Sequence, residues 1–228
     1  MISRNPREEI ELRIKPSSDL SLEERSQLQS LFQRSYRQAD PDFLHRSLEI
    51  LGYTAMALSG GRVVGLALGE TRRIDLPRLP RQLVSLAGLG CIDPQYRRHH
   101  LFLDLAQRAL VSGEEGVAFS DEPRLVCGRM AHPAALRTMA QLPSVVPKPK
   151  TVPTPWQQEI GTAIAETYRV HDFDPTTFVC IGAGRPIGYP KIEIDAEPSE
   201  WELFTRVDRD RGDSLLAIAW YPHPPPDW

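Results

Sequence analysis

The stretch Ile92-Asp93-Pro94-Gln95-Tyr96-Arg97-Arg98-His99-His100-Leu101-Phe102 decides how this chain is read. An apolar run ends at Ile92, and Pro94 has no N–H with which to continue a ladder, so Pro94 and Tyr96 mark a turn. From about Leu101 the apolar spacing becomes helical, with Leu101, Leu105 and Ala109 on one face and Phe102, Ala106 and Leu110 beside them. Between the turn and the helix stand four basic side chains, Arg97, Arg98, His99 and His100. The first amides of a helix lack intrahelical partners and lie at the positive end of its dipole. Taken alone, four such residues read as a solvated helix start that is cationic.

Upstream, Gln82 to Ile92 is an apolar strand containing Gly88 and Gly90, and glycines inside a strand signal a bulge or a close backbone approach. Before it, Tyr53 to Leu58 and Arg62 to Thr71 read as strands joined at Gly60-Gly61, a pair that supplies the positive φ of a tight hairpin. Leu76 to Pro80 reads as a rigid proline-rich connector. Glu9 to Lys15 alternates apolar and charged residues as a half-buried strand does. Ser21 with Glu24 is a capping-box pattern opening a helix through Leu28, Leu31, Phe32 and Tyr36, and Pro41 starts a second helix over Asp42 to Leu51. Downstream come a strand at Arg124 to Met130, a helix from His132-Pro133 that Pro143 stops, a helix from Thr154 to Tyr168, and late strands at Thr177 to Ile181 and Leu215 to Trp220. The expected fold is α/β of the α+β type: a mixed, largely antiparallel twisted sheet flanked by helices, with a helical insertion before the last strands.

Composition narrows the function. A chain of 228 residues with 41% hydrophobic and 25% charged residues fits a single domain spanning 1–228. A net charge of −3 and a pI near 6.1 give no basic stripe for nucleic acid. Cys91, Cys127 and Cys180 are too few and too far apart for a disulfide framework or a zinc knuckle, and no metal site is expected. No stretch reaches the roughly 18 apolar residues of a membrane span, and MISRNPREEIE has no apolar core of a secretory signal. The expectation is a cytoplasmic protein with neither membrane nor nucleic-acid partner.

The element order and the 92–102 stretch resemble the GNAT acyltransferases. Members of that family carry a strand ending near proline, then Arg/Gln-x-x-Gly-x-Gly/Ala opening a helix. Arg97 matches the first position, His100 stands at the first glycine and Phe102 at the final small residue. His132-Pro133-Ala134-Ala135-Leu136 is similar to the family's Asn-x-x-Ala segment. The resemblance covers residues 9–142; 143–190 reads as an inserted lid or interface segment and 191–228 as C-terminal strands and tail. It implies a site for acetyl-CoA or another acyl-CoA at Cys91, Ile92, Arg97, Arg98, His99, His100, Leu101 and Phe102, with the pyrophosphate at the helix start. Side chains at 100 and 102 would crowd that approach.

The family's usual proton carriers are missing. Gln82-Leu83-Val84-Ser85-Leu86-Ala87 holds no acid, and Met139 stands where a tyrosine is common. The remaining catalytic candidates are Glu70, read as ending its strand, and His132, which titrates near neutral pH or caps a helix. The cysteines read as buried thiols and His171-Asp172-Phe173-Asp174 as a turn. The implied function is acyl-CoA-dependent N-acylation of a small-molecule or peptide amine. The alternatives are a non-catalytic GNAT-like binding module and a GNAT-fold enzyme using a carrier-protein thioester. A homodimer is left open.

Overall fold

The structure, a computed structural model, describes residues 10–97, 100–112, 122–142, 144–191 and 195–228. Strand β1 (Glu11–Pro16) leads to helix α1 (Leu22–Ser35). The capping box forms as its pattern predicts: Ser21 Oγ accepts from Glu24 N at 3.1 Å and Glu24 Oε2 accepts from Ser21 N at 2.9 Å. After β2 (Tyr36–Arg37), Asp40 caps α2 (Pro41–Ile50), with the proline where no N–H is needed. Strand β3 (Tyr53–Ser59) turns at Gly60-Gly61, φ 57° and 78°, into β4 (Arg62–Leu76).

One expectation is corrected here. Leu76 to Pro80 is not a connector between separate strands. Strand β4 continues to Leu76, which pairs with Leu79 at the start of β5 (Leu79–Ile92), and Pro77-Arg78 is a two-residue turn with Arg78 at φ 66°. The prolines fall in the turn and at the first steps of β5, where a missing donor costs no ladder bond.

The chain continues through α3 (Leu101–Leu110), β6 (Arg124–Met130), α4 (Pro133–Ala140), α5 (Pro155–Thr167), β7 (Phe173–Asp174), β8 (Val179–Cys180), β9 (Tyr189–Pro190) and β10 (Ser214–Tyr221). The main sheet runs β1-β3-β4-β5-β6-β10-β8-β7, and β2 pairs separately with β9. Its neighbours are antiparallel except β5 and β6, which pair in parallel from Leu83↔Arg124 to Ala87↔Gly128.

Beyond that rung the two strands part. Strand β5 stays with β4 through Gly90↔Ala67 and Ile92↔Gly65, while β6 stays with β10 through Met130↔Leu215. The divergence has a local cause. From Ala87 to Gly90, β5 advances three residues while β4 advances two, from Gly69 to Ala67. The extra residue is a β-bulge at Gly88-Leu89, and a bulge bends its strand. Both glycines allow close approach: a Cβ on Gly88 would run into Leu51, and one on Gly90 into the Phe102 ring.

Helix α3 covers one face over Ala55, Ala57, Val64, Ala67 and Ile92. Helix α5 buries Trp156, Ile160 and Ile164, a stripe at every fourth position that ends in Tyr168 just past the helix. The Tyr168 hydroxyl donates to Ala87 O at 2.8 Å and Cys127 O at 3.1 Å. It sits over the last parallel rung, where the fork begins. Tyr168→Phe should therefore cost about 1 kcal/mol, the net worth of a buried hydrogen bond, and lower the melting temperature by roughly 2–4 °C in a domain of this size. An unchanged melting temperature would show that the hydroxyl does not hold the rung.

Candidate active site

The junction after β5 is held by one buried carboxylate. Asp93 receives Arg34 Nε at 2.9 Å, has Arg62 at 3.8 Å, and accepts from Gln95 N at 3.2 Å. Tyr96 donates to Ser59 Oγ at 3.1 Å. These bonds fix the direction in which β5 delivers the chain to α3.

The expected cofactor residues fall into distinct roles around this junction. Arg97 does not stand free as a cationic rim: its Nε donates to Ile92 O at 3.1 Å and its Nη2 to Ser35 O at 3.4 Å, at the C-terminus of α1. Carbonyls left unpaired at a helix end attract such a cation. Arg98 and His99 lie outside the described residues. Ile92 and Leu101 point into the α3 core. Cys91 is buried, and burial pushes its thiol up to about 11, so it carries no thiolate near neutral pH.

His100 precedes α3 at φ 55°, the left-handed region where glycine is the usual occupant. Its side chain makes no cap to the helix, which leaves the amides of Leu101, Phe102 and Leu103 at the start of α3 without one. Phe102 is 45% exposed, yet its ring covers the backbone at Gly90. On the same strand, Tyr36 donates to Gly90 O at 2.6 Å, and burial pushes its phenol pKa far up.

Glu70 is not a solvated strand end. Because the hairpin runs on to Leu76, Glu70 lies inside β4, paired with Leu86 and only 9% exposed. Its Oε2 accepts from Gly52 N at 3.2 Å, and Arg72 Nη1 stands 2.9 Å from Oε1 but outside hydrogen-bonding geometry. Burial raises the carboxyl pKa; Arg72 and the Gly52 amide offset part of that rise. Leu86 is the residue before the last parallel rung, so Glu70 lies beside the fork.

His132 caps α4, accepting from Ala134 N at Nδ1 over 3.1 Å, and its ring meets Trp201 edge-on at 5.1 Å. Burial, then Arg209 and Arg137, lower its pKa. The structure thus separates the candidates into the β5–α3 junction, Glu70 near the fork, and His132 at α4. Sequence reasoning missed both fork tyrosines. A signal was present in Tyr168, which completes the Trp156–Ile160–Ile164 stripe, because a buried tyrosine hydroxyl requires an acceptor. Among the described residues no group of three His, Cys, Asp or Glu side chains converges to hold a metal, and no helix is long and apolar enough to cross a membrane.

No family model matches the chain, and no curated protein matches it. Solved structures do resemble it. They include a GNAT family N-acetyltransferase, YhbS, from Escherichia coli in complex with CoA (17% identity, 60% of this chain and 71% of that one, TM-score 0.42). The ribosomal-protein-S18-alanine N-acetyltransferase from Escherichia coli is 11% identical over 96% of this chain and 99% of its own, with a TM-score of 0.44. The NatC complex bound to Gag peptide and CoA is 17% identical over 57% of this chain and 82% of that one, with a TM-score of 0.39. The chain's own strand order, bulge and fork describe its fold directly: a largely antiparallel mixed sheet flanked by helices.

Proposed function

We propose that the chain is an acyl-CoA-dependent N-acyltransferase acting on a small-molecule or peptide amine. The observation that carries this reading is the bulged β5, which leaves its parallel neighbour and runs through a left-handed residue into an uncapped helix start. The junction fits coenzyme A at its anionic end: the amides of Leu101, Phe102 and Leu103 would hold pyrophosphate oxygens. When bound, acyl-CoA supplies the activated thioester carbonyl. Along the strand the fit is obstructed, because the Phe102 ring covers Gly90. That ring is half in solvent, and acyl-CoA would have to displace it.

Glu70 is the proton acceptor in this reading. It lies beside the fork, and burial keeps its carboxyl basic, which suits a group that must take a proton at Oε1 or Oε2 near neutral pH. His132 is a helix cap with its Nδ1 already used, which disfavours it for that role. A second reading is a non-catalytic GNAT-like module. What favours it is that the chain's own Phe102 and Tyr36 occupy the strand at Gly90.

The two readings part in a melting experiment with coenzyme A, acetyl-CoA and a long-chain acyl-CoA at millimolar concentration. A ligand bound only to the native state at 100 times its dissociation constant adds about 2.7 kcal/mol. Stabilisation is expected, and Phe102→Ala should tighten binding by about tenfold, roughly 1.4 kcal/mol. If neither wild type nor Phe102→Ala responds to any of the three, the binding-module reading replaces the enzyme.

Glu70→Gln should lower turnover about 10²–10⁴-fold, the usual worth of a positioned base. It should also raise the melting temperature at pH 7. A carboxyl whose folded pKa is raised stabilises the fold fully only below its unfolded value of about 4.3, and that contribution is lost as pH rises through the folded pKa. The uncharged isostere avoids the loss, so its advantage should vanish below about pH 4. A variant less stable than wild type at pH 7 would show that the Arg72 contact outweighs the desolvation.

A further inference from the structure

We propose that Arg209 anchors a second binding site, one that takes the oxyanion of a small molecule, a carboxylate or a phosphoryl group. The guanidinium carbon stands 4.7 Å from the ring centroid of Trp201 and 5.7 Å from that of Tyr189. Its Nε donates to Ala131 O at 2.9 Å. Its Nη2 is buried and has no hydrogen-bond partner. A guanidinium withdrawn from water is ordinarily matched by an anion or by a full set of acceptors, because leaving one donor buried and unmet costs about 1–3 kcal/mol.

No ion pair with Arg209 is formed among the described residues, and three acids of this region have other partners. Asp213 pairs with Arg211 at 2.6 Å, Asp208 Oδ1 accepts from the amides of Asp210 and Arg211, and Glu200 pairs with Arg137 at 2.7 Å. Burial lowers the Arg209 pKa, and Tyr189 offsets part of that fall. The His132 pKa is lowered by burial first, and then by Arg209 and Arg137.

The surroundings are fixed in advance. Tyr189 is held by the β2–β9 pair and by its hydroxyl donating to Gln38 Oε1 at 2.8 Å. Trp201 belongs to a short 3₁₀ helix, Pro198–Phe204, and is braced edge-on by His132 at 5.1 Å and by Phe204 at 6.1 Å. Helix α4 does not supply the anion donors. Pro133 has no N–H, Ala134 N is capped by His132, and Ala135 N bonds to His132 O. The arginine is therefore the recognising group. Its planar fork suits a two-oxygen anion, with the aromatic faces orienting it. The side chain as a whole is half-buried, so an oxyanion approaches its open edge from solvent and meets the buried Nη2 as the guanidinium shifts toward it. This site stands independently of coenzyme A binding at α3.

The test uses the full chain and titrates succinate and inorganic phosphate against sodium chloride at equal ionic strength, reading the melting temperature. The expected result is stabilisation by succinate, by phosphate or by both beyond that of chloride. The arm that responds identifies the oxyanion class. Arg209→Met keeps an apolar stem on Trp201 and should abolish the anion-specific shift, and Trp201→Leu should weaken binding at least tenfold. Either of two results overturns the site: wild type responding to both anions no more than to chloride, or Arg209→Met responding as wild type does. The first needs no variant to fold.

Discussion

The rung between Ala87 and Gly128 is the constraint on which the rest of the molecule depends. Up to that point β5 and β6 share a parallel ladder; beyond it the bulge at Gly88-Leu89 swings β5 away and the sheet opens. A ladder that ends inside a sheet leaves carbonyls at its last step in need of donors, and buried polar groups seldom remain unmet. The chain answers with tyrosines. Tyr168 bridges Ala87 O and Cys127 O at the vertex, and Tyr36 meets Gly90 O along the departing strand. The vertex hydroxyl is delivered from just beyond α5, so the segment that carries α5 stabilises the fork.

The junction that follows shows how charge is divided between structure and function. Asp93 gathers Arg34 and Arg62, and Arg97 ties Ile92 O to the end of α1. Positive charge that looks available for a phosphate in the sequence is, at Arg97, spent on carbonyls. What the junction offers an anion instead is backbone: the first amides of α3 behind a left-handed His100. That conformation is unfavourable for a residue with a Cβ, by about 1–2 kcal/mol per residue.

Three features of this chain oppose stability where chemistry is proposed: His100 in left-handed backbone, Glu70 raised by burial, and Arg209 with a buried donor unmet. The last two persist because their surroundings hold them firmly. Glu70 sits in the long β4–β5 hairpin, and Arg209 lies between ring systems that are themselves braced. Costs of this kind gather at sites of binding and proton transfer.

The sequence by itself determined the parts whose signals are local. The Ser21–Glu24 capping box, the Gly60-Gly61 turn, the α3 stripe and the Arg124–Met130 strand are written within a few residues of where they act, and so were the glycines that permit the bulge. Tertiary structure alone decided what depends on partners far along the chain. Nothing near Arg97 in sequence announces Ser35 O, nothing near Glu70 announces the Gly52 amide, and the prolines after Leu76 hid a hairpin that moves Glu70 from a strand end to a buried position. The acceptors of Tyr168, and the rings that hold Arg209, likewise come from segments brought together only by folding. A side chain's chemistry depends on its desolvation and its bonded neighbours, and both are properties of the packed chain.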